Sequence, residues 1–201
     1  MKKSHIISII LTLCISICTH AQDTLTINDV TFNEATGEIT AYTNTTKKDI
    51  IIPDNFDGIL VTTIGQNAFL ENSITAVTIP NSVTEIGYDA FRGNLLTELT
   101  IPNSVKTIGI TAFTNNKLTS VILGDSLTTI GLSAFSSNKL TSVTIPNTVT
   151  SIGDQAFLSN QLDLVTIPSS VKFIGNRAFN DNPLKTFNLP THYQGYIYSW
   201  N

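Results

Sequence analysis

Residues 96–117 read LTELTIPNSVKTIGITAFTNNK, and the same frame returns every 22 residues. The pair Ile-Gly falls at Ile64-Gly65, Ile86-Gly87, Ile108-Gly109, Ile130-Gly131, Ile152-Gly153 and Ile174-Gly175. Ala-Phe keeps the same step, from Ala68-Phe69 through Ala112-Phe113 to Ala178-Phe179. Asn recurs from Asn72 to Asn182, and Pro from Pro80 to Pro190 with Gly124 standing in once. Six of the ten Phe and six of the eleven Gly occupy two of these columns, so the period governs the chain.

One unit carries the physics of all. Leu99, Thr100 and Ile101 alternate apolar and polar and stop at Pro102, which reads as a short strand ended by a residue with no N–H. Val105 and Ile108 face inward on the return path, and a second short strand is expected around Thr107. Gly109 requires either a positive φ or a close approach of neighbouring backbone. Ala112 and Phe113 are expected in a brief helical or 3₁₀ turn, with the ring filling the coil. Asn116 lies at the corner, where its amide can bond buried backbone and stack on the next Asn. One such unit cannot bury its apolar residues alone; stacked copies can. The fold class is therefore a mostly β solenoid of about six to seven 22-residue units, with short parallel strands, over residues 51–190.

Only 13% of the 201 residues are charged, against roughly 25% in an average soluble protein. Thr, Ser and Asn fill the difference. At the N-terminus Lys2 and Lys3 precede an apolar run from Ile6 to Cys18, then Thr19, His20 and Ala21. This reads as a secretory signal peptide over 1–21, cleaved after Ala21; the run is too short to span a membrane. Leu13 and Ile17 before the two Cys do not fit a lipoprotein signal. Cleavage removes Lys2, Lys3 and both Cys, leaving nine basic and fifteen acidic residues, a net charge of −6, and His192 as the one His. That charge excludes a nucleic-acid partner. The loss of Cys and His excludes disulfides, thiolate metal sites and Cys- or His-based catalysis, so no cofactor is expected. No membrane insertion is expected after cleavage.

The pattern L-x-x-L-x-L-P-x-x-V-x-x-I-G-x-x-A-F-x-x-N closely resembles the leucine-rich repeat of BspA-like bacterial surface proteins. Leu118, Val121, Leu123, Leu127, Ile130, Gly131, Ala134, Phe135 and Asn138 carry it in one unit. Leu140, Val143, Ile145, Pro146, Val149, Ile152, Gly153, Ala156 and Phe157 carry it in the next. Asn stands where many such repeats place Cys. The resemblance implies a curved solenoid and a secreted or surface-exposed interaction protein of bacterial origin; it does not imply a particular ligand.

Outside the repeats, residues 22–50 alternate around Ile27, Val30, Phe32, Ile39 and Tyr42 and are expected to form a capping β-hairpin. The first coil is about five residues longer than the others, around Asp54-Asn55-Phe56-Asp57-Gly58. Residues 191–201 gather Tyr193, Tyr196, Tyr198 and Trp200. They read either as a lid over the last coil or as the start of a further domain.

Few residues suggest chemistry. Asp54, Asp57 and Gly58 miss the spacing of a calcium loop and read as a turn. His192 has no partner His or Cys. Lys106, Lys117, Lys139 and Lys172 read as a solvated face. Asp23-Thr24-Leu25 and Asp125-Ser126-Leu127 resemble short O-glycosylation sites. The candidate binding face is the strand face, with Thr75, Thr97, Thr119 and Thr141 in one column and Thr78, Thr100, Thr144 and Thr166 in a second. A third column on the return path holds Thr62, Thr84, Thr128 and Thr150. Thr also suits any solvated strand. The expected function is non-catalytic adhesion to extracellular proteins, host matrix or cell-surface proteins among them. The alternative is a structural spacer presenting a C-terminal domain.

Overall fold

Each 22-residue unit closes one coil, because two inward strands and one Phe per unit fill a common interior. A computed structural model describes residues 22–193. The signal peptide expected over 1–21 and the aromatic positions Tyr196, Tyr198 and Trp200 lie outside the described residues.

The strands are short and numerous. In chain order they are β1 (Asp23–Thr24), β2 (Val30–Asn33), β3 (Glu38–Tyr42), β4 (Asp49–Ile51), β5 (Asn55–Phe56), β6 (Ile59–Leu60), β7 (Thr63–Ile64), β8 (Ala76–Thr78) and β9 (Glu85–Ile86). They continue with β10 (Glu98–Thr100), β11 (Thr107–Ile108), β12 (Ser120–Ile122), β13 (Thr129–Ile130), β14 (Ser151–Ile152), β15 (Leu164–Thr166), β16 (Phe173–Ile174) and β17 (Thr186–Asn188). The two-residue strands ending at the Ile before the Gly column, together with β2 and β3, form one eight-stranded sheet in the order β16-β14-β13-β11-β9-β7-β3-β2. From β3 to β16 its ladders are parallel, with Ile64, Ile86, Ile108, Ile130, Ile152 and Ile174 in register. On the other side, the strands before the Pro column pair only in pieces: β1-β4-β8, β10-β12 and β15-β17.

The turn expected at Ala-Phe is a pair of i→i+3 bonds, such as Ala112 N to Gly109 O and Thr114 N to Thr111 O, without a regular helix, and a third ladder between coils alternates with it. Asn67, Phe69 and Glu71 donate their N–H groups to the carbonyls of Tyr88, Ala90 and Arg92 in the next coil. Thr111, Phe113 and Asn115 repeat this onto Leu132, Ala134 and Ser136. A helix would use those donors inside one coil; here the neighbouring coil takes them. The geometry needs left-handed residues on both sides of Ala-Phe. They are Asn67, Asp89, Thr111, Ser133, Gln155 and Arg177 on one side, with φ between 52° and 60°. Glu71, Gly93, Asn115, Ser137, Ser159 and Asp181 occupy the other. Eleven of these twelve are not Gly. The 3₁₀ turns among the described residues are Ile27–Asp29 and Thr191–Tyr193.

The Gly column answers to the second of its two requirements. Gly109 has no positive φ, but a Cβ there would lie 2.6 Å from the carbonyl carbon of Gly87. Gly131 meets Gly109 at the same distance, so Gly stacks on Gly through the solenoid. Inside, Phe69, Phe91, Phe113, Phe135, Phe157 and Phe179 are fully buried. Their centroids are 4.9–5.4 Å apart and their planes within 8° of parallel.

The corner Asn residues bind backbone rather than one another. Asn116 donates to Phe91 O at 2.9 Å and Phe113 O at 3.2 Å, and accepts from Leu96 N at 3.2 Å. Asn94, Asn138 and Asn160 repeat these bonds, each tying its coil to the one before. Every polar group of the buried amide is thereby matched, which is why the column tolerates burial.

At the N-terminal end β2 and β3 form an antiparallel hairpin with a register shift between Thr31 and Phe32, and β3 pairs with β7. Ile27 is not part of this hairpin; it opens the 3₁₀ turn and is 39% exposed. Tyr42 extends the aromatic stack, 5.3 Å from Phe69, and its hydroxyl donates to Lys47 O at 2.8 Å. Buried Asp29 holds the turn together. It accepts from Thr26 N at 2.8 Å and Asn44 Nδ2 at 2.6 Å, and pairs with Lys47 Nζ at 2.9 Å. Burial opposes its ionisation, but Lys47, Thr26 and Asn44 override it and hold the carboxyl well below the usual carboxylate range. Burial, then the Asp29 and Asp23 charges, push the Tyr42 phenol up to about 12. The longer first coil is the β5–β6 hairpin turning at Asp57 and Gly58, with Phe56 edge-on to Phe32 at 5.0 Å.

Candidate functional site

The strand face is built by alternation. In β10, β12 and β15 the middle residues Leu99, Val121 and Val165 are buried and both flanking residues are exposed. The outward columns are therefore Ala76, Glu98, Ser120, Ser142, Leu164 and Thr186, and beside them Thr78, Thr100, Ile122, Thr144, Thr166 and Asn188. The second contains the expected Thr78, Thr100, Thr144 and Thr166. Thr75, Thr97, Thr119 and Thr141 are exposed too, but the first three lie one residue before β8, β10 and β12, and Thr141 lies at the equivalent place before residues 142–145, at the rim of the face. The column through Glu98 and Leu164 was not among the expected residues. Its signal is period two counted back from Leu99, which selects Glu98 rather than Thr97.

The hydroxyls divide into two groups. Thr84, Thr128 and Thr150 donate to the carbonyls of Thr62, Lys106 and Thr128 at 3.0–3.3 Å, so the return-path column stitches coils together. Thr119 does the same onto Thr97 O at 3.2 Å, and Thr75 bonds Asp49. Thr78 donates to Gln22 Oε1 at 2.7 Å, and Thr166 accepts from Asn188. Among the described residues, the hydroxyls of Thr97, Thr100, Thr141 and Thr144 take no intramolecular partner.

Two shallow depressions open where strand pairing breaks. One, of about 370 Å³, lies between β8 and β10, which sit side by side without a ladder. The other, of about 460 Å³, lies between residues 142–145, which form no ladder, and β15. Each contains one free Thr hydroxyl, Thr100 or Thr144, and one carboxylate, Glu98 or Asp163. Ile122 (65% exposed) and Leu164 (47% exposed) add apolar surface to the face.

Away from this face, Tyr88, Ile110 and Leu132 form a second exposed apolar column, one residue after the Gly column. Asp54, Asp57 and Gly58 belong to the hairpin already described, and His192 Nε2 lies 3.0 Å from Val171 O. No group of three His, Cys, Asp or Glu able to hold a metal occurs among the described residues. Lys106, Lys117, Lys139 and Lys172 are exposed, as are Thr24 and Ser126.

A stack of 22-residue coils with paired inward strands, a Phe column and an Asn corner is a leucine-rich repeat solenoid. The chain belongs to the BspA-type leucine-rich repeat family, whose repeat region matches residues 62–186 in six copies. No curated protein sequence matches it. Among solved structures, a leucine-rich repeat protein from Bacteroides ovatus is 30% identical, with a TM-score of 0.65 over 77% of this chain and 41% of that one. A leucine-rich cell surface protein from Faecalibacterium prausnitzii is 28% identical, with a TM-score of 0.51 over 75% of this chain and 49% of that one. A leucine-rich repeat protein from T. pallidum is 25% identical, with a TM-score of 0.56 over 84% and 72%. The chain thus spans less than half of the Bacteroides and Faecalibacterium proteins it resembles.

Proposed function

We propose that the protein is exported, stands at the cell surface or in the medium, and binds extracellular protein through its strand face without catalysis. The observation that carries this reading is the face itself. It keeps the hydroxyls of Thr97, Thr100, Thr141 and Thr144 unbonded beside exposed Ile122 and Leu164, whereas the return-path hydroxyls of Thr84, Thr128 and Thr150 are bonded to the preceding coil. Repeat solenoids offer such extended faces to partners. The signal-like segment at 1–21 and the resemblance to a Faecalibacterium cell surface protein support the location. No helix among the described residues is long and apolar enough to cross a membrane.

Fractionation of the native host tests the location: the protein is expected in the medium or open to protease on intact cells, and recovery only from cytoplasm overturns export. For binding, the purified protein and its Thr100→Arg, Thr144→Arg double variant are compared on immobilised extracellular-matrix and cell-surface proteins. The double variant is expected to lose binding and keep its melting temperature. Unchanged binding removes the strand face from consideration.

A further inference from the structure

On the strand face, some coil junctions are closed by backbone bonds and others are open. At the closed ones the N–H groups of Ile52, Ile101 and Ile167 donate to Thr78 O, Ile122 O and Asn188 O at 3.0, 2.8 and 2.9 Å. The equivalent N–H groups of Ile79, Leu123 and Ile145 have no backbone partner among the described residues, although all three residues are buried. At the rim, Thr119 and Lys185 donate their N–H groups to Thr97 O and Asp163 O at 2.8 and 2.9 Å, and Thr97, Thr141 and Asp163 make no such bond. The open junctions therefore lie between Thr78 and Thr100, between Ile122 and Thr144, and between Thr144 and Thr166. The unbonded hydroxyls of Thr97 and Thr141 sit at two of them, whereas Thr119, at a closed junction, reaches Thr97 O.

The other sides of the coil are continuous through the same junctions. On the return path Gly87, Gly109, Gly131, Gly153 and Gly175 donate to the Ile carbonyl of the preceding coil at 2.8–2.9 Å. Along the Phe column, Phe91, Phe113, Phe135 and Phe157 donate to the Ala carbonyl of the next coil at 2.7–2.8 Å. Sides that stay bonded and one side that does not make a hinge with a fixed direction. Tilting neighbouring coils about the bonded sides widens or narrows the open junctions and breaks no ladder bond there, so it belongs to the low-energy motions of the fold.

We infer that the solenoid bends at these three junctions, so that the strand face opens and closes like a fan while the return-path sheet keeps its length. In the closed form the Ile79, Leu123 and Ile145 N–H groups gain the bonds that Ile101 and Ile167 already have; in the open form water satisfies them. Resting on the strand-face reading, the bend gives that face more than one curvature, and a partner selects the one it fits.

The test places pairs of spin labels on the mature protein, which has no competing thiol because Cys14 and Cys18 lie in the segment expected to be cleaved. One pair, Thr78→Cys with Thr166→Cys, spans all three open junctions on the strand face. The other, Thr84→Cys with Lys172→Cys, spans the same four coil steps on the return path. The Phe stack sets both pairs about 21 Å apart along the axis, and all four positions are exposed. Electron spin resonance is expected to give a distance distribution about twice as broad for the strand-face pair as for the return-path pair. Equal widths overturn the inference. Amide exchange followed by NMR is expected to be on the order of 100-fold faster at Ile79, Leu123 and Ile145 than at Ile52, Ile101 and Ile167. Equal protection means that the ladders are closed in solution and also overturns it. Fast exchange with equal widths describes a fixed gap: the bend falls, and the strand-face reading is still decided by the binding comparison of the Thr100→Arg, Thr144→Arg variant.

Discussion

Gly109 and Arg177 show how differently two backbone positions of one repeat are constrained. A Cβ on Gly109 would meet the Gly87 carbonyl carbon at 2.6 Å, backbone against backbone, with no side chain to move aside. Gly109→Ala is therefore expected to force the coils apart and cost about 1–3 kcal/mol, read as a lower denaturant midpoint. Arg177 holds φ at 54° on an exposed surface, a conformation that costs an L residue roughly 1–2 kcal/mol. Arg177→Gly relieves that strain at the expense of a more flexible unfolded chain, so the variant is expected to be neutral or up to about 1 kcal/mol more stable. The Ile-Gly column was visible in the sequence. Its reason was not, because close approach and positive φ both demand Gly, and only the neighbouring coil decides between them.

At the scale of elements, the N-terminal cap depends on a buried charge. The Asp29 carboxyl titrates below its unfolded value of about 3.9, so its contribution is present above that pH and is lost as pH falls through the folded value. Asp29→Asn leaves Lys47 without its partner and is expected to lower stability at pH 7 by on the order of 3 kcal/mol. The difference from wild type is expected to shrink as pH drops below 4, which equilibrium unfolding at several pH values checks. A gap that persists unchanged at pH 2 would mean that Asp29 acts by packing rather than charge. The hairpin of β2 and β3 was legible from alternation. The ion pair behind it was not, since Asp29 and Lys47 are 18 residues apart and nothing local links them. The Ala-Phe segment shows the same limit. Its composition suits a helical turn, but the adjacent coil takes every second N–H group, so the turn stops at isolated i→i+3 bonds and never becomes a helix.

The whole molecule is a stack in which each coil contacts its neighbours, so stability is expected to be nearly additive in coils. Deleting residues 107–128 joins Lys106 to Thr129 and keeps every column in phase. This variant is expected to fold with similar β-content and a melting temperature lower by on the order of 5 °C. Deleting 20 residues from the same place shifts the Phe, Gly and Asn columns out of line and is expected to abolish the cooperative transition, as circular dichroism would report. Equal behaviour of the two deletions would contradict a fold held together by its columns.

The sequence alone determined the period, the inward residues and the count of coils, because a fixed spacing of Ile-Gly, Ala-Phe and Asn admits only stacked equivalents. It also determined that most of the polar surface would be Thr, Ser and Asn. Tertiary structure decided where the two strand layers differ. One pairs continuously through eight strands, and the other breaks beside β10 and β15. Those breaks depend on how adjacent coils settle against each other, a cumulative result of packing that no single repeat encodes. They place Glu98 and Thr100 in the lining of one depression and Asp163 and Thr144 in the lining of the other.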